Sequence, residues 1–170
     1  MTTLIISFDE CVIASDSRGT RRGASKHGST CSNYEDNTTK MWKLGDNLWL
    51  MGTGCLNTIH KFMRSYSSLE FPKTKCKTEV ALVRLKDGQL EVDRYYTTTE
   101  RTWSRYLKWD HSYHTGEHGF ITLGSGRDYA LGALKAGVSI EEAMSVAKKC
   151  DRGTGGNTIM INCKLNGDLL

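Results

Sequence analysis

Thr2 stands directly behind Met1. Initiator methionine is usually removed before a small residue such as threonine, and the mature chain would then begin with a hydroxyl and a free α-amine on one residue. A hydroxyl is a weak nucleophile until a base takes its proton. An α-amine, with an unperturbed pKa of about 7.7–8.0, can be that base near neutral pH. Two glycine-rich strings carry further polar groups: Gly124-Ser125-Gly126 and Asp151-Arg152-Gly153-Thr154-Gly155-Gly156. Taken alone, the first is a flexible turn and the second a helix-ending turn. Asp16, ahead of Ser17-Arg18, reads by itself as a strand-end salt-bridge partner, and Lys40 as a solvated lysine. His111, His114 and His118 could share one face of a helix as metal ligands. Gly116 weakens such a helix, and only Asp110 and Glu117 are at hand to complete the set, so no metal and no other cofactor is expected.

The elements that must position these groups follow from patterning. Met1 to Phe8 and Cys11 to Arg18 flank Asp9-Glu10 as a hairpin. Gly19 to Thr39, rich in Gly, Ser, Thr, Asn and Lys, reads as a long surface loop. Lys40 to Leu44 and Leu48 to Met51 form a second hairpin around Gly45-Asp46-Asn47. Leu56, Ile59, Met63 and Tyr66 recur at helical spacing, as for one amphipathic helix packed on a sheet. Ser67 to Lys77 is short and polar. A third hairpin runs from Glu79 to Leu85 and from Leu90 to Asp93 around Lys86-Asp87-Gly88-Gln89. Arg94 to Gly119 holds Tyr95, Tyr96, Trp103, Tyr106, Trp109 and Tyr113, which suit an inserted element packing over an exposed sheet rather than stacking nucleic-acid bases. A strand at Phe120 to Leu123, a helix over Tyr129 to Leu134, a helix opened by the capping box Ser139-Ile140-Glu141-Glu142, and a strand at Thr158 to Cys163 complete an α+β pattern.

Composition narrows the classes. The 170 residues fit one domain over 1–170 with a real core. Lys plus Arg number 23 against 19 Asp plus Glu, a net charge of +4 without runs of like charge, so nucleic-acid binding is not expected. No apolar run reaches the ~18 residues of a membrane span, and no export leader is evident. Cysteines at 11, 31, 55, 76, 150 and 163 are scattered, as for reduced thiols, mostly in the core, of a cytoplasmic protein.

In their order along the chain, the hairpin ending in Ala14-Ser15-Asp16-Ser17-Arg18, the Lys40-Met41-Trp42-Lys43-Leu44 strand with Gly52 after its partner, Gly124-Ser125-Gly126 and Asp151-x-x-Thr154-Gly155-Gly156 resemble proteasome β-subunits and their HslV-type relatives. The resemblance implies the four-layer αββα sandwich of N-terminal nucleophile hydrolases. Here the second long helix of that fold has no room between Ser67 and Lys77, so it is shortened or missing. It also implies a threonine endopeptidase, with Thr2 as nucleophile after Met1 removal. Asp16 would hold Lys40 charged beside the Thr2 hydroxyl, the Gly52 N–H would receive the oxyanion, the terminal amine or a water it orients with Ser125 would take the hydroxyl proton, and Asp151 and Thr154 match the family's Asp and Ser ahead of Gly-Gly. Asp16 lies two residues closer to Thr2 than is usual in the family, and Thr154 stands where the family has serine. Losing one residue from each arm of a hairpin keeps cross-strand partners facing. Substrate would lie extended between Thr20-Arg21 and Gly52-Thr53, with Leu50 and Met51 hinting at an apolar preference. The partners implied are peptide or unfolded protein, copies of the chain in a homo-oligomeric ring, and an ATP-dependent unfoldase. Two other readings keep the fold: an amidohydrolase acting on a small amide, and a catalytically inactive assembly protein that retains Met1.

Overall fold

The computed structural model describes residues 2–24, 30–68, 71–101, 106–116, 119–165 and 168–169. Its first hairpin is β1 (Thr3–Ser7) and β2 (Val12–Asp16), with Leu4 opposite Ser15 and Ile6 opposite Ile13. Every residue of both strands is buried, as befits strands covered on both faces. The alternation of a strand divides them: Leu4, Ile6 and Ile13 share one core, while Ile5, Val12 and Ala14 share another.

The polar stretch after β2 is a hairpin as well, β3 (Gly19–Ala24) and β4 (Thr30–Glu35), where the sequence suggested a loop. It forms a separate two-stranded sheet. With no place in either larger sheet, it needs no apolar stripe, and its strands therefore leave no period-two hydrophobic signal. The second hairpin is β5 (Met41–Gly45) and β6 (Leu48–Gly54). It leads into α1 (Leu56–Ser65), which buries Thr58, Ile59 and Phe62 while Leu56 stays exposed. Among the described residues no helix follows α1 before β7 (Thr78–Lys86).

β7 pairs with β8 (Gln89–Arg101) through the Asp87-Gly88 turn, and β8 continues far beyond the predicted strand to pair with β9 (Leu107–His114). The insertion is thus a long hairpin that adds a fifth strand to the sheet. Its Tyr95 and Trp109 rings meet Phe62 of α1 at 5.2 and 5.8 Å, and Phe71 stacks on Trp109 at 5.8 Å. These rings cover sheet that α1 alone leaves open, each large ring adding about 1.5–3 kcal/mol when fully buried. Trp103 and His118 lie outside the described residues. β10 (Phe120–Gly124), α2 (Arg127–Lys135), α3 (Ile140–Cys150), β11 (Thr158–Asn162) and the short β12 (Asp168–Leu169) complete the chain. At the start of α3 the predicted capping box is formed, Glu142 N–H donating to Ser139 Oγ at 3.2 Å and Ser139 N–H to Glu142 Oε2 at 3.0 Å.

The larger sheets are antiparallel, in the orders β10-β1-β2-β11-β12 and β5-β6-β7-β8-β9. One core joins them through Leu4, Ile6, Ile13 and Leu123 from the first and Trp49, Met51, Ala81 and Val83 from the second. The opposite face of the first sheet meets Ala130, Leu134, Ala143, Met144 and Ala147 of α2 and α3. That of the second meets Ile59 and Phe62 of α1. The element content is therefore mixed α and β, with antiparallel sheets and three helices among the described residues. None of those helices is long and apolar enough to cross a membrane. Of the described cysteines only Cys11 and Cys163 are buried, so the expectation of mostly core thiols fails for Cys55, Cys76 and Cys150.

Candidate active site

The start of β1 gathers most of the predicted residues. Thr3 pairs with Gly124 at the end of β10, and this register brings Ser125, in the turn between β10 and α2, up to the preceding residue. The Thr2 N–H donates to Ser125 Oγ at 3.2 Å, and Ser125 donates to Asp151 Oδ2 at 2.6 Å. Gly126 N–H reaches the Thr2 carbonyl at 3.4 Å. Gly124 has φ +91°, and a Cβ there would lie 2.1 Å from the Thr2 carbonyl oxygen, a backbone atom that cannot yield without moving Thr2 itself. Gly124→Ala should therefore cost about 1–3 kcal/mol of stability, read as a lower urea midpoint, and displace Thr2 from Ser125.

Asp151 leaves the end of α3 as its C-cap and serves as the hub of this network. Its Oδ2 accepts from Ser125 and from Thr154 Oγ1 at 2.7 Å, and its Oδ1 accepts Gly153 N–H at 3.1 Å. Burial is the largest influence on this carboxyl and pushes its pKa up, but the bonds from Ser125, Thr154 and Gly153 together outweigh it and hold the group below the usual aspartate value. A carboxylate depressed in the folded state stabilises fully above the unfolded pKa of about 3.9 and loses that contribution as pH falls through the folded value. Asp151→Asn should accordingly flatten the fall in stability below about pH 4, measured by thermal unfolding at stepped pH.

A second charge centre lies beside the first. Asp16, the last residue of β2, is fully buried and accepts Lys40 Nζ and Thr3 N–H on Oδ1, each at 2.8 Å. On Oδ2 it accepts Arg18 N–H at 3.2 Å and Gly155 N–H at 3.0 Å. Lys40, just ahead of β5, is 4% exposed. Desolvation lowers its pKa more than the Asp16 charge and hydrogen bond raise it, which leaves an ammonium readier than usual to release a proton.

Three contributors have no counterpart in the sequence reading. Thr3 Oγ1 hydrogen-bonds Thr154 Oγ1 at 2.7 Å, and Thr3 thereby ties Asp16 to the Asp151 network. Arg18 forks onto Asp36 at 2.7 and 3.0 Å and lies against Gly155, where a Cβ would sit 2.3 Å from the guanidinium carbon. That close approach explains the first glycine of the Gly155-Gly156 pair. Thr3 was open to detection as a second hydroxyl beside the first; the Arg18–Asp36 pairing leaves no local sequence signal.

A cleft of about 340 Å³ opens on this cluster, lined by Thr2, Thr20, Lys40, Gly52 and Thr53 with Trp42, Leu56 and Ile59 as apolar wall. Thr2 is 3% exposed. Asp16, Ser125, Asp151 and Thr154 do not line the cleft but are connected to Thr2 and Lys40 through the bonds above. Other expectations are corrected. Leu50 and Met51 are fully buried, Leu50 against α1 and Met51 between the sheets, because alternate residues of a central strand face the two cores. Neither lines the cleft. The Gly52 N–H donates to the Lys40 carbonyl at 3.0 Å, closing the ladder between β5 and β6, so it does not point unengaged at a substrate. Arg21 lies in β3, its side chain outside the described ones. His111 and His114 are on β9, not a helix, and bond Asp93 at 3.0 Å and Ser112 at 3.0 Å. Among the described residues no group of three or more His, Cys, Asp or Glu is placed to hold a metal ion.

No protein-family model matches the chain, and no curated protein does. Among solved structures its fold is similar to the crystal structure of eukaryotic HslV from Trypanosoma brucei, with a TM-score of 0.52 and 13% sequence identity over 93% of this chain and 97% of that one.

Proposed function

We propose that this chain is a threonine endopeptidase of the proteasome β-subunit and HslV type, a single domain over 1–170 built as a four-layer αββα sandwich and active through Thr2 once Met1 is removed. The observation that carries this reading is the convergence, at the first residues of β1, of the Thr2–Ser125–Asp151 chain with the buried Lys40–Asp16 pair. The likeness to HslV supports the fold.

In the proposed reaction the Thr2 amine takes the proton of the Thr2 hydroxyl, which adds to a peptide carbonyl. Ser125, bonded to both that nitrogen and Asp151, keeps the freed amine in place beside the hydroxyl of its own residue. The Lys40 ammonium, kept in place by Asp16, opposes the negative charge that develops. The amine then protonates the leaving nitrogen, and water cleaves the resulting ester. Substrate lies extended along the cleft between Thr20 and Thr53, its side chain against Trp42 and Ile59. Thr20, which lines the cleft, is the residue we assign to bind it. The reading includes a cytoplasmic homo-oligomeric ring supplied with unfolded chains by an ATP-dependent unfoldase.

Intact mass followed by turnover of a fluorogenic peptide and a small acyl amide tests this function. Loss of Met1 with hydrolysis of the peptide alone is expected. Turnover confined to the small amide would move the reading to an amidohydrolase, and retention of Met1 by an inactive protein to an assembly role. With the amine as base, kcat/KM should rise tenfold per pH unit below the amine pKa and level off above it, near pH 8 for an unperturbed amine.

A further inference from the structure

Beside the cleft, the first turn of α1 is tied to the segment that leads into β7. The Cys55 carbonyl accepts Thr58 and Ile59 N–H at 3.0 Å, and Cys55 itself lines the cleft next to Gly54 and Leu56. Thr58 Oγ1 bonds Thr74 Oγ1 at 3.1 Å, which in turn accepts Cys76 N–H at 3.1 Å. Thr78 Oγ1 donates to the Cys76 carbonyl at 3.2 Å, and Thr78 pairs in register with Gly54 at the ends of β7 and β6. The register that sets Gly54 opposite Thr78, carried past the strand ends, and this lattice of threonines place Cys55 and Cys76 side by side. Cys76 is exposed and Cys55 half-buried, so a small oxidant reaches the pair from solvent. Burial is the largest influence on the Cys55 thiol and pushes its pKa up, yet the hydroxyl and N–H of Thr58 and the Cys76 thiol outweigh it and leave Cys55 below the ordinary thiol value. That favours the thiolate, the attacking form, at Cys55.

We propose that Cys55 and Cys76 form a dithiol modification site that a peroxide converts to a disulfide, and that this bond weakens substrate binding in the adjoining cleft. The Cys55 thiolate attacks the peroxide O–O bond, giving a sulfenic acid and, after protonation, one molecule of water from hydrogen peroxide. The Cys76 thiolate then attacks the sulfenic sulfur, the S–S bond forms, and the expelled hydroxide takes a proton and leaves as a second water. Two thiols lose two hydrogens and two electrons, and the peroxide accepts them. Drawing the two sulfurs together to the bonded separation of about 2.05 Å moves Cys55, which caps α1 and forms cleft wall. The effect on turnover rests on the peptidase reading; the disulfide does not.

The test treats the purified chain with equimolar hydrogen peroxide, blocks remaining thiols, and maps cross-linked peptides by mass spectrometry alongside peptide turnover. A Cys55–Cys76 link is expected in the native chain and in Cys150→Ser, absent in Cys76→Ser, and reversed by dithiothreitol. KM should rise at least about threefold on oxidation and recover on reduction, in line with the cost of small misplacements at a site. Cys76→Ser should keep the basal rate and lose the peroxide response. Absence of the link, or Cys55 carried to the sulfinic acid instead, overturns the modification site. A link that leaves KM unchanged overturns its effect on the cleft. Should the untreated chain hydrolyse no peptide at all, the peptidase reading falls while the map still decides the dithiol.

Discussion

Thr2→Ala is expected to lower peptide hydrolysis by about four orders of magnitude or more while leaving stability within about 1 kcal/mol. Alanine is as small as threonine needs to be for Met1 removal, so the amine is still released, and Ser125 and Asp151 can still hold it. What is lost is the attacking oxygen and the methyl beside it. Thr2→Ser restores a hydroxyl beside the same amine and should recover activity to within about tenfold, since the missing methyl affects only how firmly the rotamer is held. Single-turnover kinetics on chains whose intact mass confirms loss of Met1 separate this from a processing defect. Equal turnover by the native chain and Thr2→Ala would place the nucleophile elsewhere.

Asp16→Ala should be the most destabilising change in the site, by about 3–5 kcal/mol, because it leaves a buried ammonium and three backbone N–H groups without their acceptor. Lys40→Met removes the other partner, but the Asp16 carboxylate keeps the Thr3, Arg18 and Gly155 N–H bonds. Its stability cost should therefore be smaller, while its loss of turnover should be as severe, since the positive charge in the cleft wall is gone. Combining Lys40→Met with Asp16→Ala removes both charges together and should cost less than the two single changes added. Urea unfolding of the four proteins gives the cycle. Additive costs would show that the two side chains do not act as a pair.

The residues of this centre were legible through the resemblance, as short strings matched in order along the chain: Asp16 at the end of an apolar hairpin, Lys40 ahead of a strand, Ser125 between glycines, and Asp151 three residues from Thr154. The first hairpin, the Asp87-Gly88 turn and the Ser139 capping box were equally readable, since apolar runs, turn residues and caps act locally. Other features depended on partners distant in sequence. β3 and β4 carry no apolar stripe because they lie outside both larger sheets. The length of β8 is set by pairing with β9, and its Tyr95 by contact with Phe62. Leu50 and Met51 looked like pocket residues by their place beside Gly52, yet a central strand sends one to each core. Gly52 itself was expected to offer a donor that the β5–β6 ladder already uses.

The central claim is that one terminal residue both attacks and moves its own proton, and a peptide epoxyketone addresses both functions at once because its stable adduct needs a hydroxyl and a free amine on the same residue. Mass mapping of the chain lacking Met1 should place that adduct on Thr2 in the native protein and find none in Thr2→Ala. A folded, demethionylated chain that forms no adduct would contradict the account.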